Sequence, residues 1–207
     1  PEMSFGELSR VTTGKGKGQW LCPSHLTLSY NDALEASPEH NKPMPLDWVR
    51  AVHEAGHVFV ARYFGFRISS VRILPDPNDQ HPGAVHIVWG DIPTDEAERR
   101  VRAENIARVC FAGVSATAHI APDPLTESSA VDDFGMAAWA LTKGIDGCKF
   151  RVRRDRLLAE AKAGAADIVT NAASAIDQIA KSIVTAGHLN EEAILSLVDP
   201  LLPLRAP

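Results

Sequence analysis

LDWVRAVHEAGHVFVARYFG, residues 46–65, is the stretch on which the reading of this chain turns. Its interior holds no proline, Asp47 stands in the first turn, and Gly65 sits where a glycine ends a helix. The pattern predicts a helix over 46–64. Apolar Trp48, Val49, Val52, Phe59, Val60 and Tyr63 cover more than half the cylinder, so this helix should be buried on most sides. Into that apolar surface the sequence sets His53, Glu54 and His57, an HExxH pattern. With 8 histidines and 12 glutamates in 207 residues, chance supplies about 0.02 such matches.

The spacing has a chemical meaning. Four residues place His53 and His57 on one face, one turn apart, where two ring nitrogens can converge on a Zn²⁺ ion. Glu54 points about 100° away and faces a reacting water rather than the ion. Two neutral donors and one carboxylate base are what metal-assisted hydrolysis requires. The bland alternative is a core helix with two hydrogen-bonded histidines, but two imidazoles and a carboxylate are costly to bury without partners.

A third ligand lies elsewhere. Residues 60–63 read Val-Ala-Arg-Tyr, which excludes the longer HExxHxxGxxH motif. The best acids are Asp132 and Asp133, near the start of a later helix. Paired aspartates there also read as first-turn carboxylates that suit a helix dipole.

Outward from the motif, short β-like runs at 70–74 and 84–89 flank turn chemistry around Pro75, Pro77 and Pro82-Gly83. The remainder reads as helices. One is capped by Thr94 and runs to about His119. A shorter one starts at Ser128 or Ser129 and ends near Gly144. A long alanine-rich one covers about 152–185, closed by Gly187, and a last one is capped by Asn190. The fold class is α+β, mostly α-helical, with a small sheet or hairpin beside the HExxH helix. Residues 1–44 read as an irregular N-terminal arm and 45–200 as one domain. The Gly14–Gly18 glycine-lysine stretch reads as a solvated loop, because no GxxxxGK[ST] occurs. Cys22-Pro23-Ser24-His25 lacks a second pair of metal ligands. The arginines at 99, 100, 102 and 108, and those at 151–156, read as solvated helix faces.

Composition bounds the rest. A hydrophobic share of 45% and mean hydropathy near zero exclude wholesale disorder. A net charge of −5 argues against nucleic acid as a partner. Three scattered cysteines, Cys22, Cys110 and Cys148, predict reduced thiols and a cytoplasmic setting. No apolar run is long enough to span a membrane.

These segments together resemble the FtsH-type zinc peptidase domain. The likeness is carried by His53-Glu54-Ala55-Gly56-His57, the run Val71-Arg72-Ile73-Leu74-Pro75, Ala112-Gly113 in a helix, and Ser129-Ala130-Val131-Asp132-Asp133-Phe134. It covers roughly 150 residues, and HEAGH with a distant aspartate is its most specific part. The resemblance implies Asp133 as the third zinc ligand and Glu54 as general base. It also implies a metallopeptidase acting on peptide or unfolded protein, with a homo-oligomer or an ATPase as partner. An AAA+ module is not visible in this chain, and the family's Gly-Arg-Ala-Ala-Glu-Glu becomes Gly113-Val114-Ser115-Ala116-Thr117-Ala118. The rival expectation is a catalytically inactive, zinc-stabilised interaction protein on the same fold.

Overall fold

The apolar wrap of the HExxH helix is met by protein on nearly every side. In the computed structural model this helix, α1 (Leu46–Tyr63), is buried without a break from Ala51 to Ala61. The structure describes residues 46–73, 84–122, 131–145 and 151–203. The arm at 1–44, the Cys22–His25 cluster and the Ser128–Ser129 helix start therefore lie outside the described residues.

Beyond α1 come β1 (Arg67–Arg72), β2 (Ala84–Val88), α2 (Glu96–Ile120), α3 (Val131–Gly144), α4 (Arg151–Asn171) and α5 (Ala173–Ala186). The chain then forms β3 (His188–Asn190), α6 (Glu191–Val198) and a 3₁₀ turn, Asp199–Leu201. The described residues are mostly helical, with one small antiparallel sheet ordered β2-β1-β3, an α+β architecture. No helix among them is long and apolar enough to cross a membrane.

Two apolar cores divide the work. One gathers α1, the sheet and α5 around Val52, Phe59, Ile68, Ile176 and Ile183. The other joins α2, α3 and α4 through Phe111, Leu141 and Leu157. Each such side chain, fully buried, contributes about 1.5–3 kcal/mol. Helix α2 belongs to both, and its alanines let neighbours approach on several sides. Where α1 and α2 cross, a Cβ on Gly56 would stand 2.6 Å from the Ala112 carbonyl oxygen, so only glycine permits this packing distance.

Four features depart from the sequence reading in ways that bear on the packing. The cap of α2 is Asp95 rather than Thr94, because the Asp95 carboxylate accepts from the Glu98 N–H at 2.9 Å. The long alanine-rich helix breaks at Ala172, whose φ of −111° and ψ of 12° leave the helical region. No proline or glycine causes that break. The two halves serve different partners, α4 packing mainly on α2 and α5 on α1. The first strand begins three residues early, at Arg67, and is bulged between Ile68 and Ser70. The third strand was not anticipated. Its three residues pair with β1 as Ser70↔Asn190, Val71↔Leu189 and Arg72↔His188, and Gly187 turns the chain into it at φ 70°. A strand that short has no period of its own to read.

Candidate metal centre

The one-turn spacing on α1 becomes a convergence of ring nitrogens. His53 Nε2 and His57 Nε2 lie 3.0 Å apart. Helix α3 brings Asp133, in its first turn, to the same point: Asp133 Oδ2 is 3.2 Å from His53 Nε2 and 3.5 Å from His57 Nε2. Two ligands held about 2.0–2.1 Å from one tetrahedral ion stand roughly 3.3 Å apart. The three separations bracket that value, so His53, His57 and Asp133 fit a single small cation such as Zn²⁺. They are the three residues that group as potential metal ligands among the described residues.

The tautomer points the same way. His57 Nδ1 donates to the Val109 carbonyl at 2.8 Å, because a carbonyl can only accept. In the neutral ring Nε2 then carries a lone pair. That lone pair faces a second imidazole and a carboxylate, so a proton or a cation must sit between them. Burial alone would push His57 toward its neutral form. The charge and hydrogen bond of Asp133, the charge of Glu54 and the Val109 carbonyl outweigh it and raise the pKa to about 9. Burial works to raise Asp133 too, yet the charge of His57 and the hydrogen bonds of both histidines hold it well below the usual carboxylate range.

Helix α2 is the floor of the site. A Cβ on Gly113 would fall 2.5 Å from His57 Nε2 and 2.6 Å from His53 Nε2. Any side chain at 113 would therefore displace both donors. This role was missed in the sequence, where Ala112-Gly113 is one small-residue pair among many in an alanine-rich helix.

Glu54 stands apart from the three donors. It is 0% exposed, and neither carboxylate oxygen has a hydrogen-bond partner. Burial pushes its carboxyl upward, opposed by the charges of His53 and His57. A buried carboxylate left unmet costs several kcal/mol unless water or a cation answers it, roughly the scale for an unpaired buried charge. Asp132, by contrast, is exposed, about 100° around the helix from Asp133. His119 is exposed at the end of α2, and His86 lies half-buried on β2. Cys110 is buried near Asp133, and burial holds its thiol protonated. Comparison with known proteins finds no family model that matches the chain and no match among curated proteins.

Proposed function

We propose that this chain is a zinc-dependent metallopeptidase-like protein on an FtsH-type peptidase fold, hydrolysing extended peptide or unfolded protein. The observation that carries the reading is the coexistence of three convergent donors with a separate buried carboxylate that has no hydrogen-bond partner among the described residues. His53, His57 and Asp133 would hold the ion, and Glu54 is left over as the base. Zinc, when bound, supplies a Lewis acid that polarises a carbonyl and lowers the pKa of water.

The chain's own residues do the rest. Val109 holds the His57 ring by its Nδ1–H and fixes Nε2 as the donor atom. Glu54, about 100° around α1 from His53, accepts a proton from the attacking water at a carboxylate oxygen and returns it to the leaving amine. Its buried position keeps that carboxylate from being satisfied by bulk water.

A second reading has its own support. His53, His57 and Asp133 are each only 3–4% exposed, which leaves a substrate little access to the donors. In that reading the protein is a non-enzymatic interaction module stabilised by zinc. Glu54→Gln separates the two. The peptidase reading expects zinc-loaded wild type to cleave casein, and the variant to keep its zinc while losing at least about 10²-fold in rate. Zinc in both proteins with cleavage in neither assigns the site to structure.

A further inference from the structure

A second cavity lies away from the donor cluster, between the end of β2, the first half of α2 and the second half of α3. It encloses about 410 Å³. Its walls are apolar: Trp89, Ile92, Ile106, Met136 and Trp139. That size suits a small ligand rather than a solvent channel. Ile92 is 64% exposed and Val88 42%, so apolar surface at its mouth is left in water.

The polar groups of this lining share one sign. Its charged side chains are Arg99, Arg102 and Lys143, and no acidic, hydroxyl or amide side chain lines it among the described residues. In a chain of net charge −5, three cations without an acid are a local inversion. Arg99 is engaged with the Thr94 carbonyl. Arg102 and Lys143 meet no carboxylate among the described residues, although Arg100 and Arg108 on the same helix pair with Glu104. The Trp89 indole N–H is buried with no acceptor. Every polar side-chain group here is therefore a donor.

Arg102 is also held in place. Its guanidinium lies over the Phe66 ring, 5.4 Å from the centroid. It also lies close to Gly90, at φ 68°, where a Cβ would stand 2.9 Å from Nη2. A cation stacked on a ring and seated against bare backbone is positioned before any anion arrives, which lowers the ordering cost of binding one.

We propose that this pocket binds a medium-chain aliphatic carboxylate, its chain against Trp89, Met136 and Trp139 and its carboxylate on Arg102 and Lys143. A peptide fits less well. Its N–H groups would find no side-chain acceptor in the lining, whereas a fatty carboxylate has acceptors at one end and none to donate. The inference is independent of the metal site, since none of the four residues there lines this cavity.

The test is titration of the full chain with decanoate below its micelle concentration, followed by tryptophan fluorescence and calorimetry. Saturable binding at one site is expected, with decanol at least about tenfold weaker for want of the charge. Arg102→Gln and Lys143→Gln should each weaken decanoate binding, Arg102→Gln by about tenfold or more, with circular dichroism unchanged. If Arg102→Gln loses its fold, Lys143→Gln carries the test alone. His57→Ala should bind decanoate as wild type does. Decanol equal to decanoate, no change in the folded variants, or loss of binding in a His57→Ala variant with unchanged circular dichroism would each overturn the proposal. An N-acetylated leucyl-leucine acid binding more tightly than decanoate would give the pocket to a peptide end instead.

Discussion

The two halves of α2 face two polar sites built on opposite terms. Its C-terminal half, through Val109 and Gly113, meets two imidazoles and a carboxylate that are buried together and complement one another. Its N-terminal half, through Arg102, offers a cation that has a ring to rest on and meets no carboxylate among the described residues. The first site brings donors of complementary charge together inside the core, in an arrangement that fits one small cation. The second gathers one sign of charge at the edge of an apolar cavity and leaves the balance to something from outside. One helix can do both because small residues at one end admit neighbours closely, while long residues at the other reach past them.

The sharpest way to break the first half of that comparison is to remove a donor. His53→Ala or His57→Ala should take bound zinc from about one per chain to none, as read by elemental analysis of purified protein. Full zinc occupancy in the double variant would end the metal reading. Next in size is the aspartate pair. Asp133→Ala should cost more zinc affinity than Asp132→Ala, whose loss should stay at or below the roughly 10–100-fold typical of a residue outside the ligand set. Competition with a chelator ranks the two, and equal losses would show that the carboxylate facing the histidines is not the ligand.

A glycine pair then sharpens the point that α2 works by what it omits. Gly113→Ala places a methyl against both donor nitrogens and should weaken zinc by at least about tenfold, the scale for disturbing a ligand's support. Gly135→Ala on α3 meets nothing within 4 Å. It should raise stability in urea by up to about 1 kcal/mol through helix propensity alone, with zinc unchanged. Were the two variants to behave alike, close packing at 113 would have no functional weight.

The smallest effect is expected far from both sites. Arg67 grips Glu191 with two contacts of 2.6 Å, and that hydrogen bonding holds the Glu191 carboxyl below its ordinary value of 4.5. A depressed carboxyl stabilises the fold above its unfolded value and loses that contribution as pH falls through the folded one. Arg67→Gln should therefore melt slightly below wild type at pH 7, and the gap should close on acidification below about 4.5. Both groups are solvated, so a gap that widened in acid would contradict this account.

What the sequence determined by itself is local and periodic. HExxH at helical spacing fixes two imidazoles on one face and a carboxylate beside them, whatever the rest of the chain does. The apolar wrap of residues 46–63 likewise dictates a buried helix, and turn chemistry marks two of the three strands. Asp133 is a weaker case, since the residues alone favour a plain helix-dipole role for the Asp132-Asp133 pair, and only the family resemblance singles out Asp133. Only the tertiary structure decided that Oδ2 of Asp133 lies within 3.5 Å of both imidazoles while Asp132 is at the exposed surface. It also decided that Gly113 is the floor of the site, that β3 adds to the sheet, and that Arg102 faces a cavity instead of an acid on its own helix. The physical reason is one of range. Periodicity reports which face of an element is apolar, whereas close approach, missing side chains and unpaired charge are properties of two or three elements brought together, and no window of sequence contains them.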